Sequence, residues 1–293
     1  MVDGLAVVDK PAGMTSHDVV GRCRKVFGLR KVGHAGTLDP DATGVLLVGL
    51  GRATRLMQFM SGLTKSYRAE VVLGVATSTL DASGEVTGRW DMTAVTLEQA
   101  RQAAAGFTGD IQQVPPMVSA VKVGGRRLHQ LARSGIEVER PARAVTVSRF
   151  AVERVVAPGP VVDVSIDCSS GTYIRVLAAD LGEALGGGAH VRALRRTAVG
   201  PWTTTDAVPL DELDASIVRP LADCLPWLAA VKVDQETAEQ VGNGRVMELP
   251  ALGIGSGDDG PWSVVGPDGD LLAVYQAHRP GTAKPAVVMA GPR

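Results

Sequence analysis

Apolar runs of two distinct periods are broken along this chain by clusters of glycine and proline, and each run predicts an element. Gly4–Asp9 reads as a strand, closed by Pro11-Ala12-Gly13. Ser16 is placed to cap a helix over His17–Phe27, with Val19, Val20, Cys23, Val26 and Phe27 on one face and Arg22 and Lys25 outside. The twelve residues from Gly33 to Gly44 then hold three glycines, one proline, one histidine and two carboxylates. That density predicts a loop with a fixed, tight path. It runs into Val45-Leu46-Leu47-Val48, which reads as a buried strand reaching Leu50. A short helix over Ala53–Met60 and an alternating strand over Ser66–Val75 follow. Thr96-Leu97-Glu98-Gln99 has the form of a capping box and opens an alanine-rich helix that ends near Gly106.

Pro115–Arg143 differs in texture: polar, basic, and interrupted by Gly124-Gly125 and Gly135. It suits a projecting hairpin or a short helical excursion better than a core element. Val161–Asp167 alternates strictly, as a strand with one solvated face does. It passes through Ser169-Ser170-Gly171 into a helix over Thr172–Leu185, striped by Ile174, Leu177, Ala178, Leu181 and Leu185 and stopped by Gly186-Gly187-Gly188. From about Val231 the chain turns to glycine- and aspartate-rich turns and brief strands such as Trp262–Val265 and Leu271–Gln276, after one short helix over Gln235–Val241. The result is a large N-terminal unit over 1–230 and a small β-rich unit over 231–293. Strands and helices do not repeat regularly, so the class is α+β.

Composition narrows the possibilities. Length of 293 residues and 45% hydrophobic content describe a globular protein with a sizeable core. The first ten residues carry Asp3 and no leading positive cluster, so no signal peptide is read there. No apolar run approaches the roughly 18–20 residues of a membrane helix. Cys23, Cys168 and Cys224 are odd in number and far apart, which fits a reducing cytoplasm and neither a disulfide framework nor a zinc site. The net charge of −1 conceals an asymmetry: residues 1–204 hold 24 Lys/Arg against 18 Asp/Glu, and 205–260 hold 3 against 11. Basic groups at 22–31, at Arg126-Arg127 and at Arg192, Arg195 and Arg196 are candidate phosphate contacts, or equally solvated faces.

Three sites carry candidate chemistry. Asp39 precedes Pro40, a pairing that both forms turns and can hold one carboxylate in one place. Two of the three tyrosines stand in polar settings: Tyr67 at the start of a strand, and Tyr173 where a strand meets a helix. A tyrosine at such a corner can stack on a nucleobase, worth about 1–3 kcal/mol. Arg175 can pair with a buried carboxylate. Spacing alone does not join these sites in space. Gly49-Leu50-Gly51 lacks the third glycine or following Lys-Ser/Thr of a nucleotide-binding loop.

The stretch Gly33-His34-Ala35-Gly36-Thr37-Leu38-Asp39-Pro40-Asp41-Ala42-Thr43-Gly44 closely resembles the catalytic motif of the bacterial tRNA pseudouridine-55 synthases, the TruB family. Further matches come in the family's order: Asp9-Lys10-Pro11-Ala12-Gly13-Met14-Thr15-Ser16, Lys65-Ser66-Tyr67-Arg68-Ala69, Pro115-Pro116-Met117-Val118-Ser119-Ala120-Val121-Lys122, Gly171-Thr172-Tyr173-Ile174-Arg175, and Gly188-Ala189-His190-Val191 through Leu194-Arg195-Arg196. The resemblance implies a pseudouridine-synthase-like fold, with a mixed, mainly antiparallel sheet, flanking helices and a small PUA-like C-terminal β domain. It implies that a uridine in the T-arm of tRNA is flipped out and isomerised. Asp39 would be the nucleophile, Tyr67 would pack on the base, Tyr173 and Leu194 would line the uracil pocket, and Arg175 would pair with Asp39. His34 would help occupy the space the base leaves, and Lys10 would support the loop.

The same resemblance makes 115–143 an RNA-contacting insertion. There the chain departs from the pattern, with Val118 where an aromatic is usual and Leu128-His129 where a tyrosine is frequent. No metal, no organic cofactor, no membrane and no obligate protein partner are expected, and the expected setting is the cytoplasm. The rival readings are an isomerase of another RNA and a non-catalytic tRNA-binding or folding module.

Overall fold

The apolar run after Gly44 becomes the strand on which the molecule is organised. In the computed structural model, which describes residues 2–118, 138–156, 160–255 and 257–289 and the backbone of 122–123 and 126–127, every residue from Gly44 to Leu50 is buried. Val45 and Leu47 face one core with Leu5 and Val7, while Leu46 and Val48 face another with Ala6 and Val8. A strand buried on both faces reads as a continuous apolar run, which is why alternation is absent there.

In chain order the strands of the first part are β1 (Gly4–Lys10), β2 (Val32–Ala35), β3 (Thr43–Leu50), β4 (Lys65–Leu73), β5 (Val75–Thr77), β6 (Val86–Arg89), β7 (Gly109–Gln113), β8 (Lys122–Val123), β9 (Arg126–Arg127), β10 (Arg143–Val156), β11 (Val161–Cys168), β12 (Ala189–Val199), β13 (Trp202–Thr203) and β14 (Val208–Pro209). The helices among the described residues are α1 (Ser16–Phe27), α2 (Met57–Ser61), α3 (Leu97–Ala105), α4 (Ile174–Ala184) and α5 (Gln235–Gly242). A ten-stranded sheet runs in the order β14-β1-β3-β12-β4-β11-β10-β7, with β2 added to β3 and β13 to β12. The pairs β1–β14 and β3–β12 are parallel, and the other pairs of this sheet are antiparallel. The mixed, mainly antiparallel α+β class expected from the sequence is the class found.

One edge of β3 carries β1 along its whole length, from Lys10↔Gly44 to Gly4↔Leu50. The other edge changes partner. Thr43 and Gly44 pair with Arg195 and Arg196 of β12, and Leu47 to Leu50 pair with Ala35 to Val32 of β2. Residues 36–42 leave the sheet at this change, so the tight loop is the connection of a β2–β3 hairpin. Gly44 is needed there: its φ is +102°, and a Cβ would lie 2.1 Å from the Arg196 carbonyl oxygen.

Several boundaries differ from expectation. Thr15 caps α1, because Asp18 stands three residues on and completes a capping box, each side chain accepting the other's backbone N–H. Ser16 is turned inward instead and is 2% exposed. Val26 is 37% exposed, since the face formed by Val19, Val20 and Cys23 is the one the sheet covers. Gly33 to Ala35 belong to β2 and not to the loop. The expected helix over 53–60 is a 3₁₀ turn, Gly51–Leu56, followed by α2. The expected strand over 66–75 breaks at Gly74, which takes φ +80° and donates its N–H to the Gly188 carbonyl at 2.7 Å. Most of the insertion over 115–143, including Arg126-Arg127 side chains, Leu128-His129 and Gly135, lies outside the described residues.

A five-stranded sheet follows, β15 (Ala229–Lys232), β16 (Met247–Glu248), β17 (Trp262–Val265), β18 (Leu271–Ala277) and β19 (Thr282–Val288), in the order β15-β17-β18-β19-β16. Trp262, Val264, Ala273 and Tyr275 form its own core. Leu271, Val274, Val287 and Met289 pack instead with Leu5, Val7, Leu56 and Trp202 of the large sheet's side. One apolar core therefore continues across both sheets.

Candidate active site

The partner change on β3 opens a cleft of about 280 Å³ whose lining includes Asp39, Tyr67, Tyr173, Arg175 and Leu194. Five of the seven residues expected at the site thus meet in one place. Each arrives by a separate element. Asp39 stands on the 36–42 loop, Tyr67 on β4, Leu194 on β12 beside Ala69 of β4, and Tyr173 and Arg175 at the β11–α4 corner.

Asp39 and Arg175 are paired side-on. Arg175 Nε lies 2.9 Å from Oδ2 of Asp39, and its Nη2 donates to Oδ1 at 3.2 Å. Two parallel charge-assisted bonds fix the plane of the carboxylate as well as its position. The Arg175 side chain is 5% exposed and that of Asp39 42%, so the carboxylate faces the cleft while its partner is sealed behind it. Arg175 also donates Nη1 to the Thr79 carbonyl and Nη2 to the Val118 carbonyl, both at 2.9 Å.

A second carboxylate completes this shell. Asp81 Oδ2 lies 3.5 Å from Arg175 Nη1, and Asp81 Oδ1 accepts from the hydroxyls of Thr79 and Ser83 at 2.6 Å each. Leu80, between the two groups that meet Arg175, takes φ +63°. A leucine in that left-handed conformation costs about 1–2 kcal/mol, which the surrounding bonds must offset. Asp81 was not among the residues singled out by sequence. In Thr79-Leu80-Asp81-Ala82-Ser83 it has the form of an ordinary surface turn, and no local signal ties it to Arg175.

Beneath the loop lies Arg196, fully buried and also unforeseen in this role. Its Nε donates to the Val45 carbonyl at 2.7 Å, Nη2 to Gly36 at 3.0 Å and Nη1 to Thr37 at 3.4 Å. These carbonyls fall at the partner change on β3, where strand pairing leaves them without a neighbour. Buried carbonyls need donors, and the planar five-donor guanidinium supplies them. Arg196 stands across from Tyr67 in the β4–β12 register. Burial pushes the Tyr67 phenol up, and the Arg196 charge acts in the opposite direction.

The basic cluster 192–196 therefore does not present three free cations. Arg195 pairs with Asp9 at 2.6 Å, Arg192 with Glu70 at 2.8 Å, and Arg196 is interior. The strand β12 places Leu194 and Arg196 on one face and Arg195 on the other. Alternation over Ala189–Val199 would have separated them, but bulges at Val191/Ala193 and Arg196/Ala198 blur the period.

Lys10 and His34 do not line the cleft. Lys10 is fully buried under the loop, its Nζ donating to the carbonyls of Met14 at 2.7 Å and of Pro11 and Pro40 at 2.8 Å. All three ammonium donors are engaged, so it staples Pro40, next to Asp39, to the β1–α1 turn. Burial lowers its pKa to about 8. Ser16 supports the same loop from α1, accepting the Leu38 N–H at 2.9 Å and donating to the Leu38 carbonyl at 3.2 Å. His34 lies on β2 beside Val48, with Nδ1 buried and without a hydrogen-bond partner among the described residues. Burial lowers its pKa, and Arg196 and His17 act in the same direction. Lys65 lines the cleft floor, donates to the Leu63 carbonyl at 2.6 Å, and is pushed by burial down to about 8.

Residues 24–174 match the family model for the TruB family pseudouridylate synthase N-terminal domain, and 175–224 match that for the tRNA pseudouridylate synthase B C-terminal domain. A tRNA pseudouridine synthase B from Thermobifida fusca (strain YX) is 48% identical over 299 residues, covering 99% of this chain and 100% of its own. One from Mycolicibacterium paratuberculosis (strain ATCC BAA-968 / K-10) is 49% identical over 278 residues, covering 93% of each chain. Among solved structures, a Cbf5-Nop10-Gar1 complex contains a chain 27% identical with a TM-score of 0.76, covering 98% of this chain and 84% of that one. A structure of an H/ACA RNP bound to a substrate RNA containing 2'-deoxyuridine gives 25% identity and a TM-score of 0.73 over 99% of this chain and 86% of that one. With matched models over most of its length and relatives near half identity end to end, this chain belongs to the TruB family of pseudouridylate synthases.

Proposed function

We propose that this protein converts the uridine at position 55, in the T-arm of tRNA, to pseudouridine, with Asp39 as its catalytic nucleophile. The isomerisation of uridine in tRNA follows from its relatives, which are tRNA pseudouridine synthases of near-equal length. The observation that carries the residue assignment is the Asp39–Arg175 fork: a carboxylate fixed in two bonds, open to a cleft, with Tyr67 and Tyr173 beside it.

The reaction breaks the N1–C1′ glycosidic bond, turns the uracil, and forms C5–C1′. C5 loses a proton and N1 gains one, so atoms and electrons balance without an oxidant or a transferred group. Asp39 can attack the base, attack the ribose, or take a proton in an elimination; each path needs a placed carboxylate, and the fork serves all three. Flipping the uridine costs a few kcal/mol of stacking and pairing. Tyr67 and Tyr173 offer aromatic faces to offset it, and Leu194 an apolar wall. Tyr67 is also assigned a share in moving the C5 proton. Lys10 keeps the loop in place, and His34 is assigned to the space the base vacates.

The setting is taken to be the cytoplasm, in keeping with three buried cysteines left as free thiols. Among the described residues no helix is long and apolar enough to cross a membrane.

Asp39→Asn keeps the size of the side chain and removes the charge. Pseudouridine formation in a tRNA transcript, with no guide RNA added, should fall by roughly 10³-fold or more. A rate equal to that of the unaltered protein would remove Asp39 from the mechanism. Modification of a transcript lacking the T-arm at the full rate would remove the position assignment.

A further inference from the structure

Helix α4 starts without a side-chain cap. Tyr173 is its N-cap, and no side-chain oxygen there accepts from the first turn. The Tyr173 peptide is held from outside instead. Gln113, 2% exposed at the end of β7, accepts the Tyr173 N–H on Oε1 at 2.9 Å and donates Nε2 to the Tyr173 carbonyl at 3.3 Å. A single amide thus offers one acceptor and one donor to one residue, the exchange that a paired strand makes. Buried amides are kept where both ends are satisfied, and here both ends are spent on the backbone N–H and C=O of the same residue.

The chain after Gln113 returns to the same corner. Five residues on, the Val118 carbonyl accepts from Nη2 of Arg175, the nitrogen that also meets Asp39. Segment 113–118 therefore grips the corner 173–175 twice: a side chain on the Tyr173 backbone, and a backbone carbonyl on the Arg175 side chain. Tyr173 and Arg175 enter the cleft two residues apart from one helix start, so a shift in the Tyr173 peptide moves both. Lateral movement of this corner also drags on the Asp39 fork.

We propose that Gln113 is a positioning residue for the isomerisation, its amide setting Tyr173 against the flipped base and, through the first turn of α4, Arg175 against Asp39. This rests on the reading of Tyr173 and Arg175 given above. The amide is required in this form because asparagine is a methylene too short, and an ionised glutamate has no donor for the Tyr173 carbonyl. A protonated carboxyl, by contrast, carries one donor and one acceptor and reproduces the amide's pattern.

The test measures single-turnover pseudouridine formation and tRNA binding side by side, with the unaltered protein and Arg175→Ala as references. Gln113→Met keeps the volume and loses both bonds. It should slow the single-turnover step about 10- to 100-fold and leave the tRNA Kd within about threefold. A rate within about twofold of the unaltered protein, or a loss confined to Kd, overturns the proposal. Gln113→Glu supplies the second arm and decides the matter if Gln113→Met does not fold. Its rate relative to the unaltered protein should climb at least about fivefold between pH 8 and pH 6, as the introduced buried carboxyl takes up a proton. A flat ratio overturns the proposal. Failure of the unaltered protein to form pseudouridine would instead sink the functional reading itself, a distinguishable result.

Discussion

Arg175 shows how much of this site depends on one side chain. Its guanidinium meets Asp39 through Nε and Nη2, Asp81 and the Thr79 carbonyl through Nη1, and the Val118 carbonyl through Nη2. None of these partners is a phosphate, and the side chain is sealed from solvent. Arg175→Ala should therefore lower the rate of pseudouridine formation by roughly 10²- to 10³-fold, the range for losing one preorganised charge at a reacting group. The tRNA Kd should stay within about threefold, and Arg175→Lys should not restore the rate, because a point charge does not reproduce a planar fork. Single-turnover rates set against binding isotherms check this. Weakened binding with an unchanged rate would place Arg175 on the RNA backbone instead.

At the scale of elements, α4 carries the clearest pH signature. Asp180 lies on this helix, where burial, with Glu183 adding to it, pushes its carboxyl up to about 6 from 3.8. Between those values the folded protein keeps a proton that the unfolded chain has released. Its contribution to stability is therefore complete below about pH 4 and is lost as the pH rises through about 6. Asp180→Asn removes that loss. Its melting temperature should match the unaltered protein near pH 4 and exceed it above about pH 6.5, with the gap opening in between. A constant offset across that range would show that the carboxyl does not titrate in the fold. Elements of this kind were legible in the sequence to the extent that their signals are local. The capping box of Thr96 reads from four residues and the Val45–Val48 run announces its own burial, whereas the box of Thr15 is as local but is passed over for the adjacent Ser16. The strands β10 and β12 were not legible, because bulges reset their alternation midway. Arg196 was misread for a deeper reason: its partners Gly36, Thr37 and Val45 are brought near by the partner change on β3, which no window of sequence contains. Asp39 stands out because glycine and proline mark its loop locally and that loop carries the family resemblance; Asp81 does not, because its partner arrives from a distant helix.

For the molecule as a whole, the composition change near Val231 suggests a separable unit, but the packing joins the two sheets. Val274, fully buried, belongs to the core that contains Leu5, Val7 and Trp202. Val274→Asp would place an unpaired charge in that shared core. It should lower one common unfolding transition by roughly 5–15 °C, with far-ultraviolet circular dichroism and tryptophan fluorescence remaining coincident. Two separate transitions, of which the variant moved one, would show the sheets to be energetically independent. The partner change on β3 also determines how the molecule bears load. On one side stand β14, β1 and β3, and on the other β12, β4, β11, β10 and β7; Thr43–Arg195 and Gly44–Arg196 are the paired positions that join them. Twisting one half against the other strains this narrow seam and the guanidinium of Arg196 that spans it. A tRNA gripped by both halves would deliver its torque at the loop that carries Asp39. On the proposed function, the work of pulling a base from its stack would then be absorbed beside the carboxylate assigned to that base.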